Sequence, residues 1–300
     1  MDQNPSMATT ASTSAERDDR TRVAALLTLG SIVSVQGGAA LATTLFDEVG
    51  AAGAVLLRAL FGALVLLALT RGAPLAMREW RHRDVVGLGV SVAAVNLLFY
   101  AALERLPLGI TVTLEFVGPL GVAVFGSRRP RDLLWVALAA VGIVLLSDLG
   151  GGDEVDPLGV ALALGAGFFW AAYIVQSARV GRLGPGMGGA TMAAVISAVL
   201  VAPLGLAHGG DELLDPAVLA VGLAIGILST AIPYVAEIEA LRHLPRATFG
   251  VLMSLEPAVA AAIGFLALSQ GLDPAEVIAI GLVVLASAGA LRSAAAPPRD

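Results

Sequence analysis

The chain has 300 residues, of which 57% are hydrophobic and only 14% charged, with a mean hydropathy of +0.85. A water-soluble domain carries about 25% charged residues, so the surplus apolar surface needs lipid as its solvent, and no nucleic-acid partner is expected. The net charge of −6 says little about partners, but the absence of cysteine excludes disulfides and thiolate metal sites, and His82, His208 and His243 lie too far apart for a metal-ligand spacing.

Residues 1–22 carry Ser, Thr, Asp and Arg without an apolar period and read as a disordered cytosolic tail. Glu16, Asp18 and Asp19 stand where a signal peptide would have a basic region. Apolar stretches then alternate with short polar breaks, predicting spans near 23–45, 52–69, 85–103, 108–125, 132–149, 157–177, 186–206, 217–240, 247–268 and 275–292, with a short cytosolic tail over 293–300. Backbone groups in hydrocarbon must satisfy one another, so these runs are helices, and their continuity argues against a barrel of alternating strands. The expected fold is therefore all-α integral membrane with ten transmembrane helices.

The arginines set the orientation. Arg17, Arg20, Arg22, Arg71, Arg78, Arg81, Arg83, Arg128, Arg129, Arg131, Arg179, Arg182, Arg242, Arg246, Arg292 and Arg299 fall in segments on the side of the N-terminus, against Arg105 alone on the other. By the positive-inside rule the chain is a multi-pass protein of the plasma (inner) membrane, with both termini cytoplasmic.

A repeat is also visible. Ala102-Leu-Glu-Arg-Leu-Pro107 recurs as Ala240-Leu-Arg-His-Leu-Pro245, and without a gap Pro119 falls on Pro257. One inserted residue later, Ala140-Val-Gly-Ile-Val-Leu-Leu falls on Ala279-Ile-Gly-Leu-Val-Val-Leu. The unit is five helices, 23–149 and 157–292, and an odd number inverts the second copy relative to the first. Inverted repeats are the usual construction of secondary transporters, with the substrate site near the midplane where the halves meet.

Leu114-Glu-Phe-Val-Gly-Pro-Leu, Ser127-Arg-Arg-Pro, Ile232-Pro-Tyr, Ala240-Leu-Arg-His-Leu-Pro-Arg and Thr248-Phe-Gly-Val-Leu-Met-Ser-Leu-Glu-Pro-Ala resemble the threonine/homoserine exporter group. That group lies in the EamA family of the drug/metabolite transporter superfamily. The resemblance runs from about residue 23 to 292. It implies ten helices in two EamA repeats, a central cavity lined by most of them, and efflux of small amino acids driven by an ion gradient. One departure is that Ser269-Gln270-Gly271 stands where such proteins often have Gly-Glu, so an acid at that turn is missing.

Charges within a span cost roughly 2.5–3.5 kcal/mol on insertion scales, so each asks for a reason. Arg58 in span 2 and Glu115 in span 4 lie about 9 Å deep from the same face, counted at the helical rise. They suit a buried ion pair that fixes two helices, or a pair that a zwitterion splits by giving its carboxylate to Arg58 and its ammonium to Glu115. Glu256 lies nearer the midplane beside Pro257, which frees a carbonyl one turn back, and a desolvated carboxyl there can take up and release a proton. Pro119 repeats the device one turn after Glu115, which makes Glu115 a second proton-coupling candidate. Glu237 shares a face with Pro233 and Ser229, whereas Glu239, three and four residues before Arg242 and His243, reads as a surface pair. Asn96 and Tyr100 form a polar stripe in span 3, with Tyr234 the repeat-equivalent of Asn96. Trp170 and Tyr173 share a face of span 6, as pocket wall or as core packing. Gln36-Gly37-Gly38 reads as a small-residue face for close helix contact.

The residues thus predict a secondary transporter with a small-molecule substrate, an amino acid by preference, together with protons and membrane lipid as partners and a second copy of the chain as a candidate one. A drug exporter or an importer of the same superfamily is the alternative, and an intramembrane enzyme or scaffold the reading from a different class. No HExxH or Walker loop is present, so neither enzyme activity nor a cofactor is expected.

Overall fold

The structure is a computed structural model and describes residues 5–76, 83–127, 133–148, 156–182 and 187–295. Arg78, Arg81, Arg128, Arg129, Arg131 and Arg299 of the orientation argument lie outside the described residues. The helices are α1 (Pro5–Thr43), α2 (Phe46–Leu69), α3 (Arg83–Leu103), α4 (Leu108–Glu115), α5 (Val117–Ser127), α6 (Leu133–Asp148), α7 (Pro157–Val180), α8 (Gly188–Gly209), α9 (Pro216–Gly226), α10 (Ile232–His243), α11 (Arg246–Met253), α12 (Glu256–Leu268) and α13 (Pro274–Ala295). Among the described residues nine helical stretches are long and apolar enough to cross a membrane, and α6 contributes a shorter apolar stretch, Leu133–Leu145. No strand occurs among them.

One expectation needs correction. The helix begins at Pro5, so most of the stretch read as a disordered tail is the N-terminal part of α1, although the membrane-crossing part starts only at Arg20. Proline is favoured in a first helical turn, and Ala, Met, Glu and Arg propagate a helix without needing an apolar face. At the other end, α13 takes in residues 293–295 of the C-terminal tail.

Packing follows the fivefold offset of the repeat. α2 lies on α8, α4 on α12 and α6 on α13, so each of these spans packs on its own repeat partner. α3 lies on α7, and its counterpart α10 lies on α1, the counterpart of α7.

Besides the kink at Gly50 near the start of α2, three spans depart from regular geometry, each in the turn before a proline. The fourth breaks at Phe116, between α4 and α5, and the ninth at Ser254 and Leu255, between α11 and α12. Pro119 and Pro257 cannot bond the carbonyls four residues earlier, those of Glu115 and Met253. Between α9 and α10 the chain widens into a π-helical turn, Ile227–Ala231, in which the Ile232 N–H donates to Ile227 O. The next bond of that register would run from Pro233 to Leu228 O, and Pro233 has no N–H. The Ser34 hydroxyl from α1 donates to Leu228 O instead, at 2.7 Å. The orphaned carbonyl therefore ties α1 to the kink.

The far side of the membrane from the start of α1 is closed by close backbone contact. A Cβ on Gly109 of α4 would stand 2.7 Å from the Ala261 Cα of α12. The first amide of α4, Leu108 N–H, donates to Gln270 Oε1 at 2.9 Å. Gln270 thus caps the helix with a neutral oxygen at the turn where an acid was missed. In the same manner the Glu104 carboxylate accepts from Ala51 N–H at 3.0 Å, where α2 resumes after Gly50 (φ 68°).

The contact of α7 with the break in the fourth span is tight enough to test. A Cβ on Gly167 would stand 2.5 Å from the Glu115 carbonyl oxygen that Pro119 leaves free. Gly167→Ala should destabilise the protein by about 1–3 kcal/mol, the cost of overpacking. Gly121→Ala, at a position with nothing within 4 Å of the new Cβ, should leave the melting temperature of the purified protein unchanged.

Candidate functional site

A cavity of about 620 Å³ runs into the helix bundle, within the size range of small-molecule sites. Every membrane-crossing helix among the described residues except α6 contributes to its wall. Leu66, Leu88, Leu120, Ser177, Ala190 and Leu291 belong to its lining. Leu66, Ser177 and Leu291 lie toward the ends of α2, α7 and α13, Leu88 and Ala190 lie near the starts of α3 and α8, all on the side where α1 begins, and Leu120 lies in the second half of the fourth span. On the opposite side Leu45, Val49, Leu103, Leu108, Val112 and Leu213 pack into one buried core. The cavity lining therefore reaches toward the N-terminal side of the bundle, whereas the other side is packed.

Its inner end carries the charges. Arg58, Glu115, Glu237 and Glu256 all line it, with Asn96, Trp170, Tyr173 and Tyr234, and with Pro119 and Pro233. Glu256 interacts electrostatically with Glu237 and Arg58, and Glu115 with Glu256 and Arg58, so the four groups form one electrostatic set. Two sequence candidates stand elsewhere. Pro257 is buried and does not reach the cavity wall. Tyr100 is fully buried behind it, its ring against Phe46 and Phe99. Its hydroxyl accepts from Arg58 Nη1 at 3.4 Å, and the Arg58 Cζ stands 5.6 Å from its ring centre. Tyr100 therefore props the guanidinium from behind.

The buried ion pair between Arg58 and Glu115 is not formed. Among the described residues no contact within 4 Å joins them, and Arg58 takes Tyr100 as its partner. Equal depth in two spans does not make two side chains face each other, because rotation about each helix axis is free of depth. The carboxyl of Glu237 accepts from the Ser31 hydroxyl at 2.7 Å. Glu256 Oε1 accepts from Gln36 Nε2 at 3.0 Å, while its Oε2 is buried without a partner. Glu239 makes the surface pair its spacing predicts, 2.8 Å to Arg242 and 3.3 Å to His243.

Trp170 packs edge-on against Phe116 at 5.3 Å between ring centres, so the aromatic wall sits beside the break that carries Glu115. Gln36, Ser31, Ser229 and Ser287 were not identified as site residues from the sequence. Gln36 was read as part of a small-residue face, yet it is 2% exposed and bonded to Glu256. The usable signal was a glutamine in an apolar span, five residues after Ser31 and two after Ser34 on the same helix.

Comparison with known proteins now has a geometry to attach to. The threonine/homoserine exporter RhtA of Escherichia coli (strain K12) is 44% identical over 268 residues, covering 88% of this chain and 90% of that protein. The chain belongs to the EamA family of transporters. A family model described as the EamA-like transporter family matches residues 157–292. RhtA of Salmonella typhimurium (strain LT2) is 43% identical over the same share of the chain, 88%. YwfM of Bacillus subtilis, an uncharacterized transporter, is 28% identical over 80% of this chain and 82% of its own. A solved crystal structure 20% identical to the chain superposes with a TM-score of 0.60, covering 91% of this chain and 96% of that one, and shares its fold. This EamA member is thus a multi-pass membrane transporter of small molecules.

The prop behind Arg58 gives a direct test. Tyr100→Phe removes the one side-chain hydrogen bond that Arg58 makes among the described residues. KM for the transported solute should rise about three- to tenfold with little change in kcat, as for a lost ground-state contact. An unchanged KM would place Arg58 outside solute binding.

Proposed function

We propose that this transporter exports threonine, homoserine and related small zwitterionic amino acids from the cytosol by proton-coupled alternating access. The observation that carries the reading is a guanidinium held by a tyrosine, with no carboxylate within 4 Å among the described residues, in the same cavity as three carboxyl groups. A zwitterion supplies both missing partners, a carboxylate for Arg58 and an ammonium for Glu115. The names of the Escherichia coli and Salmonella relatives agree with that chemistry. A cavity of aromatic walls alone would suit apolar drugs, but buried charges of both signs favour the amino acid.

The arginine distribution supports a cytoplasmic N-terminus, and the cavity then faces the cytosol, where an exporter loads. The two repeats, 23–149 and 157–292, rock about the broken spans to close this mouth and open the far side. Glu256, beside Pro257 and with one oxygen unpartnered, carries the proton that resets the cycle, and Glu115 is its second candidate. The chemistry needs no catalytic residue and no cofactor, in keeping with a transporter rather than an enzyme.

Proteoliposomes separate the two parts of this reading. Wild type should exchange labelled threonine or homoserine across the membrane and accumulate it against a gradient when a pH difference is imposed. Glu256→Gln should keep the exchange and lose the pH-driven accumulation. Accumulation in Glu256→Gln equal to wild type would remove Glu256 from coupling, and no exchange of any amino acid by wild type would overturn the substrate assignment.

A further inference from the structure

The breaks before Pro119 and Pro257 divide the fourth and ninth spans into halves that pack differently. The near halves, α5 and α11, both line the cavity, through Leu120 and Ala123 on one and Phe249 and Gly250 on the other. The far halves, α4 and α12, lie directly on each other, with Gly109 against the Ala261 backbone. Each runs between a cavity carboxyl and the far side, since Glu115 is the last residue of α4 and Glu256 the first of α12. α4 belongs to the first repeat and α12 to the second, so this crossing joins the repeats beyond the charged end of the cavity.

One residue fastens the crossing at its far end. α12 stops at Leu268, and Ser269 takes a left-handed conformation (φ 55°) that is unusual for a residue with a side chain. The chain turns back, and Gln270 N–H donates to Gly264 O of α12 at 3.0 Å. The side chain of the same residue reaches the other repeat, where its Oε1 accepts from Leu108 N–H, a first-turn amide of α4 that no helical carbonyl can reach. Gly264 leaves room for that oxygen, because a Cβ there would stand 2.6 Å from it. The contact of α3 with α7, also between repeats, is built differently. It is ion-paired at both ends, Asp84 with Arg179 at 4.0 Å and Arg105 with Asp156 at 3.4 Å.

We propose that Gln270 is the clasp of the far-side gate, and that its bond to α4 sets how often α4 and α12 part to open the cavity outward. The inference rests on the alternating-access reading above, in which the far side must open. A neutral amide oxygen suits a clasp that has to release. A carboxylate in its place would accept the same N–H in a charge-assisted bond and add the attraction of the helix dipole.

The chain has no cysteine, so single introduced thiols report the parting. Val112 of α4 is buried in the far-side core, and Ala240 of α10 is buried against Ala24 near the start of the membrane-crossing part of α1. In purified protein, Gln270→Ala should raise the rate of maleimide labelling of Val112→Cys about fivefold, as for one lost hydrogen bond. Gly264→Ala should raise it too, because its Cβ displaces the amide oxygen, and Gln270→Glu should lower it. Asp156→Asn, which breaks an ion pair but keeps the cap of α7, should leave it unchanged. Labelling of Ala240→Cys should be the same in all of these. An unchanged rate at position 112 in Gln270→Ala and Gly264→Ala overturns the clasp, as does a matching rise at position 240 or in Asp156→Asn, or a faster rate in Gln270→Glu. Where wild type still exchanges threonine, those outcomes leave export standing. No exchange of any amino acid by wild type overturns the substrate reading, and the labelling then still decides the clasp.

Discussion

Arg58 is the constraint around which the bundle is arranged. A guanidinium at the depth of the hydrocarbon core must find compensation, and in this fold a tyrosine hydroxyl and ring supply part of it from behind while three carboxyl groups share the cavity in front. Had Glu115 closed onto Arg58, the two would have satisfied each other and the cavity would hold a structural lock. With the pair held apart, Arg58 keeps no carboxylate partner within 4 Å among the described residues, and the proposed zwitterion site rests on that vacancy.

The backbone serves the same end. In lipid a free carbonyl is as costly as a free side chain, yet Pro119, Pro233 and Pro257 each release one beside the cavity. Ser34 takes up Leu228 O, and Gly167 admits the Glu115 carbonyl by having no side chain. These devices let the fourth and eighth spans bend with their released carbonyls turned into the bundle. In the proposed cycle the same bends are where the two halves of a helix move independently. On the packed side, the Gln270 cap on α4 and the Gly109 contact with α12 join the two repeats.

Much of this was legible in the sequence because the membrane makes its demands locally. Apolar runs of span length cannot be anything but helices in lipid, and a five-span repeat shows itself through short turns such as Ala102–Pro107 and Ala240–Pro245. Arg58, Glu115, Glu237 and Glu256 were visible because each is anomalous where it stands. Depth, however, is a one-dimensional coordinate. It could not show that Arg58 turns toward Tyr100 rather than Glu115, nor that Tyr100 lies behind the wall and Asn96 on it. Gln36, Ser229 and Ser287 were hidden for another reason: small polar residues are frequent glue between helices, and only a buried oxygen left without a partner on each distinguishes them. The helical start at Pro5 was missed because composition without an apolar period looks the same in a disordered tail as in a solvated helix.

The central claim is that the substrate occupies this cavity, and the absence of cysteine from the chain allows one introduced thiol to report on it. Ala194 lines the cavity half-buried, whereas Leu214 is 76% exposed on the packed side. The measurement is the rate of maleimide labelling of Ala194→Cys and Leu214→Cys in membranes, with and without threonine. Threonine should slow labelling at position 194 and leave position 214 unaffected. Equal rates at position 194 with and without threonine, in protein that still exchanges it, would contradict the account.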